Sequence, residues 1–246
     1  MRGRIAAALL GLMVAAPAGA VTCEGAEDAG NRYTVCTVDA AQETLRTFLY
    51  DPEGVPWGQF GTLDAALSED GKRLAFAMNA GMYHEDRDPV GYYVEDGEEA
   101  MQVVSNAGPG NFGLLPNGLL CIRDDRADVI ETRAFLRRKP ECDYATQSGP
   151  MLVIDGALHP RFFADSDSRY VRNGVGTSDD GTRAVFVISE NAVTFHDFAS
   201  FFRDTLEIDQ ALFLDGNVSR LYAPEAGRRD LGRTLGPIVG VVEEAQ

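Results

Sequence analysis

Basic residues are scarce in this chain. Its 246 residues hold 22 Lys and Arg against 38 Asp and Glu, a formal charge of −16. A surface that acidic repels phosphate backbones and anionic lipid headgroups, which argues against a nucleic-acid or membrane-surface partner. Histidine is scarcer still, with only His84, His159 and His196, and no C-x-x-C pair accompanies them. That combination argues against a zinc site. No apolar run reaches the roughly 20 residues that a membrane-spanning helix needs. The serine-hydrolase elbow G-x-S-x-G, the H-E-x-x-H metalloprotease pair, a Walker A loop and a dinucleotide fingerprint are all absent. Asp165-Ser166-Asp167-Ser168 has the opening of a calcium loop but neither its glycine nor its closing glutamate.

The chain does carry an ordinary globular composition, 45% hydrophobic and 24% charged, enough for one domain with a sizeable core. Residues 1–20 read as a secretory signal: Arg2 and Arg4, an apolar stretch from Ile5 to Ala16, then the small-x-small site Ala18-Gly19-Ala20. Its removal takes two arginines and no acid, so −16 becomes −18. The expectation is an exported protein, periplasmic or secreted, whose mature part, residues 21–246, is one domain without a transmembrane segment. Four cysteines in an exported chain predict two disulfides. Cys23–Cys36 with Cys121–Cys142 is the favoured pairing of three, because each closes a short local loop.

Residues 21–50 read as an opening β region, and Thr62–Glu69 as a short helix ended by Asp70-Gly71. Asp-Gly or Asn-Gly steps follow at Asp96, Asn117, Asp155, Asp180 and Asp215, most of them beside strand-like runs. Such steps suit tight hairpins. Thr194 caps a second helix, with Phe198, Phe201, Phe202, Thr205 and Leu206 at helical spacing. The expected fold class is α+β: a single domain with a large, mainly antiparallel or mixed sheet and a few packed helices.

Four segments concentrate chemistry. Asn79 and Gly81 lie just past the apolar strand Leu74–Ala77, with His84 close behind. Gln147 and Ser148 precede the apolar run Met151–Ile154. Arg169 and Arg172 precede Asn173 in what reads as a glycine-rich turn, and paired arginines can gather an anion. Asp215 comes straight off four apolar residues, followed by Gly216 and Ser219. A carboxylate at the mouth of a buried strand is placed for acid–base work.

In order, Asn79-Ala80-Gly81-Met82-Tyr83, Gln147-Ser148-Gly149-Pro150-Met151-Leu152, Arg172-Asn173-Gly174-Val175-Gly176 and Leu214-Asp215-Gly216-Asn217-Val218-Ser219 resemble the phosphodiester glycosidase family, whose domain is shared with the lysosomal uncovering enzyme. The likeness runs from about Leu74 to Leu221 and is closer to small exported bacterial members. The uncovering-enzyme branch has more glycine after the aspartate, where this chain has Asn217-Val218. The resemblance implies hydrolysis of a sugar-1-phosphodiester at its glycosidic bond. Asp215 would be the catalytic carboxylate and His84 a proton carrier. Arg172 and Arg169 would hold the phosphate, and Asn79, Gly81, Gln147, Ser148, Asn173, Gly216 and Ser219 would line the substrate site. No cofactor is required, and a divalent cation beside Asp215 is left open. The partner would be a glycan or sugar phosphate. The competing expectations are a non-catalytic periplasmic module binding sugar phosphates or cell-envelope glycans, and a serine hydrolase acting through Ser148.

Overall fold

The structure, a computed structural model, describes residues 21–245; the expected signal lies outside them. Strands dominate, and they divide among three sheets. The first has seven strands in the spatial order Thr22–Asp28, Asn31–Asp39, Arg183–Ser189, Asn173–Thr177, Gln210–Phe213, Met151–Ile154, Ala157–Leu158. The second has five: Arg228–Arg229, Leu221–Ala223, Lys72–Asn79, Ile238–Glu244, Thr44–Phe48. The third, also of five, runs Glu98–Met101, Tyr93–Glu95, Tyr144–Ser148, Gly118–Arg123, Arg126–Glu131. Neighbouring strands pair antiparallel throughout. The α+β class holds; the expected large sheet is split in three, because only then does each sheet present one face to a shared core.

That core sits where the sheets meet. Phe76 and Met78 of the second sheet, Leu120 and Ile122 of the third, and Val175 and Phe186 of the first are buried together, with the Phe76 and Phe186 ring centroids 4.9 Å apart. The run Ala184-Val185-Phe186-Val187-Ile188 has no polar alternation because both of its faces are covered. Phe186 and Ile188 face the shared core, while Val185 and Val187 face the Phe195–Ser200 helix and the π-helical turn Phe201–Thr205 that continues it. Thr194 caps this helix, its side chain accepting the Asp197 N–H. The Phe60–Glu69 helix covers the second sheet through Phe60 and Leu63. A third helix, Thr132–Arg138, covers the third sheet through Phe135. Sequence periodicity misses it: its cap is Glu131, whose carboxylate accepts the Ala134 N–H, and glutamate is not among the favoured capping residues.

Two expectations need correcting. Residues 173–176 are not a turn; Asn173–Thr177 is a buried central strand. Its glycines answer to packing. A Cβ at Gly174 would come within 2.7 Å of the Leu212 carbonyl oxygen and 3.2 Å of the Phe198 ring, and one at Gly176 within 2.6 Å of Ile208 and 3.1 Å of Phe202. The phenylalanine stripe thus lies close against a strand that glycine keeps bare. The Asp-Gly and Asn-Gly steps are also not alike. Those at Asp96, Asp155 and Asp180 join paired strands, each with its glycine at positive φ. Asn117 is fully buried ahead of a strand, and Asp215 opens a 3₁₀ turn over Gly216–Val218.

Both disulfides form in the expected pairing. Cys23 and Cys36 face each other across adjacent strands, Cα atoms 4.0 Å apart. Cys121 and Cys142 are 5.5 Å apart.

Candidate functional site

Three strand ends converge where the first and second sheets touch. Lys72–Asn79 ends at Asn79, Asn173–Thr177 begins at Asn173, and Gln210–Phe213 runs out into Leu214 and Asp215. The backbone binds them together. Leu214 N–H donates to the Asn173 carbonyl at 3.0 Å, and Asp215 N–H donates to the Ala80 carbonyl at 3.2 Å.

A side-chain network fills the junction. Asn79, 1% exposed, donates from Nδ2 to the Asp215 carbonyl at 2.8 Å. Its Oδ1 accepts from Asn173 Nδ2 at 3.0 Å and from the Arg220 N–H at 2.9 Å. Asn173 Oδ1 in turn accepts from Ser219 Oγ at 3.1 Å. Buried amides of this kind are stable only when paired, and the pairing fixes the Asp215 turn from two sides. The Asp215 carboxylate accepts the Asn217 N–H at 3.0 Å. Burial raises its pKa above the ordinary carboxylate value, and the Asn217 bond pulls the other way.

Tyr83 belongs to this group and has no role in the sequence reading. Its hydroxyl donates to the Thr234 carbonyl at 3.1 Å. Burial first, and then the Asp215 charge, raise its phenol above the ordinary value, while Arg87, Arg220 and Arg233 oppose this. Arg220 is the second such residue. It is 4% exposed, its Nη1 donates to Gln59 at 3.0 Å, its Nη2 to the Arg233 carbonyl, and its Nε has no partner. Burial lowers its pKa. Position alone could have flagged both: Tyr83 closes the first motif and Arg220 directly follows Ser219.

Arg172, 2% exposed, is buried against two aromatic rings, its guanidinium carbon 3.5 Å from the Phe195 centroid and 5.7 Å from the Phe213 centroid. Nε donates to the Val193 carbonyl at 3.0 Å and Nη2 to the Ser168 carbonyl at 3.1 Å; Nη1 has no hydrogen bond among the described residues. Burial lowers its pKa to about 10. Neither Arg172 nor Arg220 has a carboxylate within ion-pair distance among the described residues.

Other sequence candidates lie apart from this cluster or are taken up by the protein itself. Arg169 is exposed and pairs with Asp197 at 3.3 Å. His84 is exposed in a turn in which its N–H donates to the Asp88 carbonyl. Gln147 uses its whole amide internally: Oε1 accepts from the Tyr92 and Val104 N–H groups, and Nε2 donates to the Val104 carbonyl and Thr132 Oγ1. It pins two loops and leaves no group for a ligand. Gly81 is required because the strand Tyr144–Ser148 passes so close that a Cβ would stand 2.3 Å from the Gln147 carbonyl oxygen. Ser148 is wholly buried and its hydroxyl has no partner, so no base takes its proton and a serine-hydrolase role has no support. Gly216 packs on the Phe213 ring. No three His, Cys, Asp or Glu side chains converge as metal ligands among the described residues.

A family model described as phosphodiester glycosidase matches residues 72–241. This chain belongs to the phosphodiester glycosidase family. It is 35% identical over 186 residues to the uncharacterised protein YigE of Escherichia coli K12, covering 76% of this chain and 72% of that one. The fold is similar to that of the catalytic domain of zebrafish N-acetylglucosamine-1-phosphodiester α-N-acetylglucosaminidase, auto-inhibited by its pro-peptide: TM-score 0.62, 13% identity, 90% of this chain and 81% of that one. A hypothetical protein from Synechocystis is similar as well, with TM-score 0.60, 13% identity, and 90% and 61% coverage. At such identities the structural likeness concerns the fold. The family match contains all four motifs, and the junction of Asn79, Asn173, Asp215 and Ser219 is what three of them build.

Proposed function

We propose that this phosphodiester glycosidase is an exported hydrolase that cleaves the bond between a sugar and the phosphate of a sugar-1-phosphodiester. The observation that carries the reading is a half-buried carboxylate, Asp215, held by the Asn79–Asn173–Ser219 network, in a chain of charge −16 whose buried Arg172 and Arg220 have no acidic partner among the described residues. An unpaired buried charge is costly, and an anionic ligand would offset it.

The chemistry suits those groups. The departing phosphate monoester is already anionic, so it needs charge stabilisation more than proton donation. Arginine supplies that, and the unused Nη1 of Arg172 is the available donor. The sugar carbon gains oxocarbenium character, which the Asp215 carboxylate stabilises directly or through an activated water. Asn79, Asn173 and Ser219 act as positioning residues, because their bonds run to each other and to the Asp215 backbone. Tyr83, whose phenol feels the Asp215 charge, is one proton-bearing group at the site; His84 is the more exposed one.

Support for export comes from the signal-like first twenty residues and from the two disulfides. No helix among the described residues is long and apolar enough to cross a membrane. The test is turnover. The purified protein, incubated with the methyl phosphodiester of N-acetylglucosamine-1-phosphate or glucose-1-phosphate, should release reducing sugar, and Asp215→Asn should abolish most of that release. Tight binding with no release in either protein would assign a non-catalytic sugar-phosphate module instead.

A further inference from the structure

Tyr170 is 63% exposed, yet it is held firmly. Its N–H donates to the Val193 carbonyl at 3.1 Å and its carbonyl accepts the Val193 N–H at 2.9 Å. The guanidinium of Arg172 lies 5.6 Å from its ring centroid. That guanidinium is the middle of a stack of planar groups reaching inward: Phe195 at 3.5 Å, then Phe162 at 4.8 Å and 3°, then His159 at 4.7 Å. The stack is further tied down because Arg172 Nη2 donates to the Ser168 carbonyl in the same segment. An aromatic ring is thus presented to solvent on a rigid foundation, its motion already restricted before any ligand arrives.

The segment that carries the ring also borders the candidate site. Val171, the following residue, accepts the Ser219 hydroxyl at 3.3 Å, and Ser219 is bonded to Asn173. Asp167, Ser168 and Arg169 precede the ring and are exposed, and the same segment also exposes Phe163, at 60%, and Val171, at 40%. Exposed aromatic faces set among polar side chains match a sugar ring, which offers C–H groups on its face and hydroxyls at its edge.

We propose that Tyr170 is the floor of a second sugar subsite beside Asp215, so that the substrate is a phosphodiester of an oligosaccharide rather than of a single sugar. The inference rests on the sugar-phosphodiester reading for its substrate class, but the platform itself can be tested separately. Methyl phosphodiesters of N-acetylglucosamine-1-phosphate and of its β-1,4-linked disaccharide serve as probes, since neither brings an aromatic leaving group that would compete for the ring. The wild-type protein should prefer the disaccharide. Tyr170→Ala should lower the disaccharide-to-monosaccharide ratio of kcat/KM by about tenfold, the size of one good aromatic contact, and Tyr170→Phe should keep the ratio. In parallel, calorimetric titration with the phosphate-free trisaccharide should show binding that Tyr170→Ala weakens and Tyr170→Phe preserves. Binding of that pattern without any turnover keeps the platform and discards the phosphodiester reading. An unchanged ratio in Tyr170→Ala, or trisaccharide binding indifferent to the substitution, overturns the platform.

Discussion

At the scale of single residues, Asp215 and Arg172 carry the sharpest expectations. Asp215→Asn keeps the acceptor for the Asn217 N–H and removes only the charge. The rate should fall by at least about 100-fold, as expected for a lost acid–base group. The sign on stability is opposite. Because burial raises the folded-state pKa of Asp215, the folded protein holds that proton more tightly than the unfolded chain does. The stabilisation is full below the unfolded value and is lost as pH rises through the folded one. At neutral pH, then, Asp215→Asn should melt at or above the wild-type temperature; a loss of rate together with collapse of the fold would reassign Asp215 to the turn. Asp180→Asn, on an exposed hairpin, should leave the rate alone. For Arg172, replacement by alanine should weaken binding of a sugar phosphate by about tenfold or more, since a hydrogen bond to a charged group contributes roughly 1.5–3 kcal/mol. Titrating the neutral sugar alongside is the control: an equal loss for both ligands would remove the phosphate role.

At the scale of elements, the bare strand Asn173–Thr177 links packing to the site. Gly174→Ala puts a methyl 2.7 Å from the Leu212 carbonyl oxygen, and backbone cannot swing aside as a side-chain tip can. Overpacking of this kind costs about 1–3 kcal/mol. Because Asn173 is the adjacent residue, the shift should also loosen the Asn79–Asn173 pair, so activity should fall together with melting temperature. Surface elements behave differently. In Glu43, beside the second sheet, burial raises the pKa to about 7, against a bond from the Asp39 N–H. The protonated form favours the fold: its contribution is complete below about 4.5 and is lost as pH rises to about 7. Glu43→Gln should therefore flatten the melting-temperature profile between those values, and a profile unchanged by the substitution would discard this account.

At the scale of the whole molecule, two short disulfides staple different sheets. Cys121 and Cys142 are almost fully buried, whereas Cys23 is partly exposed at the edge of the first sheet. A mild reductant should open Cys23–Cys36 first, as mass spectrometry after alkylation would show. Replacing Cys121 and Cys142 together by serine should cost about 3 kcal/mol, the contribution of a loop of roughly this length. Reduction of the buried bridge first would contradict the placement of the two bridges. The charge of −16 acts at this scale too. It repels anions everywhere except where buried arginines stand unpaired, which is what would let one spot on an acidic protein select an anionic substrate.

The sequence by itself determined the α+β class, the antiparallel character and the phenylalanine helix, because each follows from local alternation or spacing, and it favoured, of three disulfide pairings, the one that forms. It also marked Asn79, Asn173, Asp215 and Ser219, whose motifs are contiguous in the chain. Tertiary structure alone decided how those motifs relate. Asn79 and Asn173 are 94 positions apart and share a hydrogen bond because two different sheets abut, and no spacing rule encodes that. The same holds for what failed. Gln147 reads as a free amide until the Tyr92 and Val104 loops fold onto it, and Gly174 and Gly176 read as a turn until Phe198 and Phe202 arrive above them. Arg220 has no role in the sequence reading and becomes a candidate only when the loop around Arg233 covers it. A side chain's partners are set by what the rest of the chain brings to it, and for polar groups those partners decide whether anything remains for a ligand.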